Sequence, residues 1–109
     1  MSSLTELKIK TNIVKRLFKE EQYYLKEVDM LKAKFEAYKS SPEYDEYEAK
    51  QMRGAIEETE QLLPDCNKRL QAASNDLTEL IKEKYNDPNP QNLEELNEAT
   101  ALIQSIIIN

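Results

Sequence analysis

Apolar side chains recur along this chain at the alternating three- and four-residue spacing of helices that pair through a heptad seam. With a at 7, 14, 21, 28 and 35 and d at 10, 17, 24, 31 and 38, the first stretch reads Leu7, Lys10, Val14, Leu17, Glu21, Tyr24, Val28, Leu31, Phe35 and Tyr38. Eight of these ten are apolar or aromatic, and only Lys10 and Glu21 break the seam. With a at 49, 56, 63, 70 and 77 and d at 52, 59, 66, 73 and 80, the second stretch reads Ala49, Met52, Ile56, Thr59, Leu63, Cys66, Leu70, Ala73, Leu77 and Leu80. Here Thr59 alone is polar. A third stretch carries Leu93, Leu96, Thr100, Ile103 and Ile107, flanked by Ala99, Leu102 and Ile106. No segment alternates with the period of a strand, and no internal repeat is visible.

Two clusters of helix-breaking residues separate these stretches. In Lys39-Ser40-Ser41-Pro42, Ser41 is a suitable N-cap and Pro42 suits the first helical position. In Tyr85-Asn86-Asp87-Pro88-Asn89-Pro90, two prolines and two asparagines end one helix, and Asn89-Pro90 can open the next. The predicted helices lie near 5–39, 42–85 and 90–108. The fold class is all-α: an elongated antiparallel three-helix bundle or coiled-coil rod, in one domain spanning 1–109, with two long helices of roughly 50–65 Å and a shorter third. Short connections make successive helices antiparallel. The third should cover the start of the first helix and the end of the second. Ile13, Phe18 and Leu25 widen the early apolar face of the first helix, as a second neighbour there requires.

Pro64 falls inside the second helix. It removes a backbone hydrogen bond at a cost of about 3 kcal/mol in a straight helix. Because Leu63 and Cys66 keep the heptad phase across it, a kink fits better than a loop or a new helix. Leu63, Cys66 and Leu70 are expected on the buried seam, Cys66 as a small apolar residue with Lys68 and Arg69 pointing away.

Composition narrows the chemistry. The chain has 109 residues, one glycine, one cysteine and no histidine. It lacks the commonest acid–base residue and metal ligand, a Cys–His pair and the glycines of a phosphate loop. An enzyme, a metal site and a cofactor are therefore not expected. A net charge of −6 argues against nucleic acid and anionic membrane as partners. No secretory signal and no apolar run near the 20 or so residues of a membrane span are seen. With a lone cysteine, this suits the cytosol. Glu43, Asp45, Glu46 and Glu48 gather at the predicted start of the second helix, where its dipole accounts for them, and they lack the spacing of a calcium loop.

Charge is unevenly divided. Residues 1–39 carry nine basic and six acidic side chains, and the remainder six and fifteen. Lys8, Lys15, Arg16, Lys19 and Lys26 occupy b, c and f positions, with Tyr23 between Lys19 and Lys26 at helical spacing. A solvated helix face accounts for them. The sharper reading is a stripe that docks an acidic partner, with Tyr23 as a contact anchor.

Two segments carry a resemblance to a known family. Residues 7–25, LKIKTNIVKRLFKEEQYYL, resemble the basic opening segment of tubulin-binding cofactor A, with its VKRL-KE core. Residues 62–77, LLPDCNKRLQAASNDL, resemble that family's mid-helix segment with proline, aspartate and often cysteine, and Tyr47-Glu48-Ala49-Lys50-Gln51 more weakly resembles the start of its second helix. The third helix carries no family motif, and Ile106-Ile107-Ile108 departs from the usual charged tail. The resemblance implies a three-helix rod without cofactor or catalysis. It implies a chaperone that binds β-tubulin released from the cytosolic chaperonin and holds it during assembly of the αβ heterodimer. Implied partners are β-tubulin and other tubulin-folding cofactors, in the cytoplasm beside the cytoskeleton. The stripe Lys8, Lys15, Arg16, Lys19, Tyr23 and Lys26 is then the candidate β-tubulin-binding face.

The competing class is a structural coiled-coil adaptor, which heptads and composition alone would suit. A prefoldin-like subunit would need a β-hairpin between its coils, and residues 39–42 are too few. Phe35, Tyr38, Tyr44 and Tyr47 cluster near the hairpin and leave both a monomer and a homodimer open.

Overall fold

The computed structural model describes residues 3–85 and 93–108. They form three helices: α1, Ser3–Lys39; α2, Glu46–Tyr85; and α3, Leu93–Ile108. α1 contains neither proline nor glycine and is built mainly from Lys, Glu, Leu and Ala, whose side chains lose little freedom in a helix. The connection predicted at 86–90, and the Asn89-Pro90 start, lie outside the described residues.

α2 begins at Glu46, four residues later than expected. Ser41 is not its cap. The Ser41 hydroxyl accepts from the Glu43 amide at 3.1 Å, and the Ser41 carbonyl accepts from the Tyr44 amide at 3.2 Å. Serine before proline has thus closed a turn of its own, a local alternative to helix capping. The cap is Asp45. Its carboxylate accepts from the Glu48 amide at 3.3 Å, and its carbonyl accepts the first helical bond, from Ala49, at 2.9 Å. α2 then runs unbroken through Pro64, so no new helix begins there.

The chain divides into two compact units, residues 1–19 with 68–109, and residues 20–67. The first contains parts of all three helices. Leu7, Val14 and Leu17 of α1, Leu70, Leu77, Leu80 and Ile81 of α2, and Leu96 and Ala99 of α3 form its buried core. Phe18, Ala73, Leu102, Ile103 and Ile106 pack against that core. Ile107 was expected on the α3 seam but is 77% exposed. The buried α3 stripe is Leu96, Ala99, Ile103 and Ile106. Ala99 is fully buried, and Ile107 lies outside this stripe. Ile13 does not widen the buried face either: it is 39% exposed, and Phe18 alone of the predicted flanking residues of this unit joins the core.

The second unit is a hairpin of two helical segments. Glu21 meets Asn67 and Lys32 meets Glu60, so the partners on α2 fall in number as those on α1 rise, an antiparallel pairing. Val28, Ala49, Thr59 and Cys66 are its buried seam residues, while Leu31, Phe35, Met52, Ile56 and Leu63 are half-buried, as expected where one helix has a single neighbour. Leu25 lies 41% exposed, outside the seam.

Polar residues at seam positions are all satisfied. Lys10 forms an ion pair with Asp76. Glu21 accepts from the Asn67 amide at 3.0 Å, and the Thr59 hydroxyl donates to the Ala55 carbonyl at 3.0 Å. Hydrogen bonding to the Asp76 carboxylate holds the Lys10 ammonium above its ordinary pKa.

Candidate functional site

Because a and d positions of α1 face inward, its b, c and f positions face solvent. Lys8, Lys15, Arg16, Lys19, Tyr23 and Lys26 are all exposed. Other cations are paired, among them Lys10 with Asp76, Lys32 with Glu60, Lys39 with Glu36, Arg53 with Glu46 and Lys82 with Glu79. The cations of the stripe make no such pair with a described residue within 4 Å. They are left to solvent or to a partner.

In the first unit, Lys8, Lys15, Arg16 and Lys19 share α1 with two exposed isoleucines, Ile9 at 45% and Ile13 at 39%. The apolar pattern of α1 predicts Ile13 on the buried face, whereas both isoleucines face outward. The result is a mixed apolar and cationic surface. α3 modifies it. A cleft of about 280 Å³ is lined by Lys8, Thr11, Asn12, Lys15, Glu95 and Glu98. The two glutamates stand beside the first two lysines and offset part of their field, whereas Arg16 and Lys19 lie outside that cleft. The heptad pattern of α1 could not have revealed this, because it depends on which side α3 takes.

In the second unit, Tyr23 is 63% exposed and its ring meets that of Tyr24 edge-on, at 5.8 Å and 67°. Tyr24 sits in the seam, where burial raises its phenol pKa. Tyr23 is thus steadied from below while its outer face stays free, an arrangement that suits a contact residue.

The hairpin end is held by an aromatic and ionic cluster. The Tyr38 hydroxyl accepts from the Asp45 amide at 2.9 Å and donates to the Glu43 carbonyl at 3.3 Å. The Tyr38 and Tyr44 rings lie 5.6 Å apart, and the Phe35 ring has Lys39 and Arg53 within 6 Å of its centre. The Tyr44 hydroxyl donates to Glu46 at 2.5 Å, and Arg53 binds the other Glu46 oxygen at 3.0 Å. These two donors, tyrosine first, lower the Glu46 pKa, and the same carboxylate raises those of Tyr44 and Arg53. The acidic cluster is therefore partly a capping site and partly an ion-pair site.

Of the structural candidates, Cys66 and Leu70 are buried, Leu63 is half-buried and Pro64 is exposed. Among the described residues, no three His, Cys, Asp or Glu side chains come together as metal ligands, and no helix is long and apolar enough to cross a membrane.

The described residues form an all-helical protein whose candidate site is an outward helix face. The match to known proteins is of the same kind. Residues 2–103 match the family model for tubulin binding cofactor A. The tubulin-specific chaperone A of Gallus gallus is 36% identical over 103 residues, covering 94% of this chain and 92% of that protein. Its Homo sapiens counterpart is 33% identical over 101 residues, with 93% and 90% covered. A solved structure of human tubulin chaperone cofactor A superposes with a TM-score of 0.77 at 30% identity, over 96% of this chain and 98% of that one. The tubulin folding cofactor A of Arabidopsis thaliana superposes at 0.75 with 31% identity, over 94% and 96%. The chain belongs to the tubulin binding cofactor A family, whose members are non-enzymatic chaperones.

Proposed function

We propose that this protein is a tubulin-folding chaperone that binds β-tubulin released from the cytosolic chaperonin and holds it, in the cytoplasm, until it joins α-tubulin. The observation that carries the reading is family membership over nearly the whole chain, with relatives named as tubulin-specific chaperones matched along nine-tenths of their own length. Other tubulin-folding cofactors are the natural recipients of the held subunit. With no enclosed reaction centre in view, holding means surface contact. A chaperone that binds one conformation stabilises it by mass action, without nucleotide turnover.

The contact face we assign is the unpaired stripe Lys8, Lys15, Arg16, Lys19, Tyr23 and Lys26, with Ile9 and Ile13 beside its first half. Cations supply encounter rate and orientation, and exposed apolar and aromatic side chains supply desolvated contact. Purified chain, mixed with β-tubulin released from chaperonin and separately with assembled αβ dimer, should form a one-to-one complex with the first and a weaker one with the second. Sedimentation reads both. No capture of β-tubulin, or equal capture of the two forms, would overturn this reading and leave the coiled-coil adaptor in its place.

A further inference from the structure

The hairpin unit carries a second surface, opposite in character to the basic stripe. Around Pro64 a groove of about 460 Å³ is lined by Glu21, Leu25, Glu60, Leu63, Pro64 and Asn67. Its apolar surface comes from Leu25, 41% exposed, from the half-buried Leu63 and from the exposed ring of Pro64. Neighbouring Leu62 is itself 48% exposed.

The polar groups of this groove are nearly all acceptors. Glu60 keeps about half of its side chain exposed while paired with Lys32 at 3.5 Å. Glu21 accepts one bond, from Asn67, which uses one of the two N–H groups of that amide. Proline has no N–H, so the helical bond that residue 64 would give the Glu60 carbonyl is not made. The two carboxylates that line the groove are Glu21 and Glu60, and Lys32 is the cation set beside Glu60.

We infer that this groove docks a cationic amphipathic helix of a partner protein, with one apolar side chain set against Leu25, Leu63 and Pro64 and flanking arginines or lysines on Glu21 and Glu60. The complementarity selects the occupant, because a rim rich in acceptors favours donors and the carboxylates of Glu21 and Glu60 favour positive charge. Helix-in-groove recognition matches the dimensions of a two-helix surface with one exposed apolar floor. A second copy of the chain fits poorly. Three apolar side chains fall far short of the roughly 800 Å² per partner that a stable dimer buries, and each copy carries −6. The inference stands apart from the tubulin reading, since it uses neither the stripe nor the family.

The test uses the full chain and three synthetic alanine-based helical peptides. The probe carries one leucine with arginine four residues before it and three after. One control replaces both arginines with glutamate, and the other replaces the leucine with alanine. In amide-resolved NMR titrations the probe should shift Leu25, Leu63 and Asn67 before any other residues. Both controls should bind about tenfold more weakly. Leu25→Lys, at an exposed position, should abolish the shifts at Leu63 and Asn67 with helicity unchanged by circular dichroism. The double variant Glu21→Gln with Glu60→Gln should weaken the probe and should not weaken the glutamate control, so that the difference between the two peptides narrows. Shifts spread evenly over the acidic residues of α2 and α3 would mean nonspecific attraction and overturn the proposal. So would equal binding of the leucine-free peptide, or unaltered binding to Leu25→Lys.

Discussion

Tyr38 joins the end of α1 to the start of α2 through one oxygen, which accepts from the Asp45 amide and donates to the Glu43 carbonyl. The ring remains packed on Tyr44. Tyr38→Phe keeps the packing and removes both bonds, so it should cost about 0.5–1.5 kcal/mol in urea unfolding. A neutral result would show that water replaces the hydroxyl without penalty. Leu70 is a different case. It is 2% exposed in the three-helix core, whereas Gln71 next to it is exposed. Leu70→Ala should cost about 2–5 kcal/mol through lost transfer energy and the cavity left behind, a large share of the roughly 5–15 kcal/mol a small domain has. Gln71→Ala should leave the melting temperature nearly unchanged. At this scale the seam was legible: every a and d residue assigned to α1 and α2 is buried or half-buried. The Tyr38 bonds were not, since they need the actual path of the connection.

Elements were legible where the pattern is long and were misplaced where short-range hydrogen bonding competes. The heptads over 7–38 and 49–80 specify α1 and α2 because ten positions each must slip together for another register to win. The start of α2 rests on two or three residues, and there the Ser41-Pro42 turn prevails over helix N-capping until Asp45. On α3 the apolar residues are so many that two stripes fit the same sequence. The stripe through Leu96 and Ala99 is the buried one, and Ile107 lies outside it. Gly54 offers a test of how far helix propensity governs α2. A Cβ added there meets nothing within 4 Å, and its φ is not positive. Gly54→Ala should therefore stabilise the protein by about 0.5–1 kcal/mol, by reducing the freedom of the unfolded chain and favouring the helix. Thermal melts read this directly. A loss of stability would mean that the position needs glycine for a reason that packing does not reveal.

Across the molecule, charge is the property that links sequence to the proposed partner. An acidic chain that uses helix faces to meet another protein must avoid repelling an acidic target, and the unpaired cations of α1 are its most basic exposed feature. That they are exposed was legible from the heptad positions. That α3 sets Glu95 and Glu98 beside Lys8 and Lys15 was not. Lys15, Lys19 and Lys26, exposed at b and f positions, then provide the test. One exposed charge pair contributes only about 0–1 kcal/mol, so single substitutions should change β-tubulin binding little. Reversing all three to glutamate alters the local charge by six units and should slow association markedly while leaving helicity unchanged. Salt separates this from a loss of fold. At 0.15 M the screening length is about 8 Å, so raising salt should weaken the unaltered protein's complex and should not weaken the triple variant's. Association rates measured from low to moderate salt would show the two converging. If the triple variant binds β-tubulin at the unaltered rate in low salt, the stripe is only a solvated helix face, and the contact lies on α2 or α3.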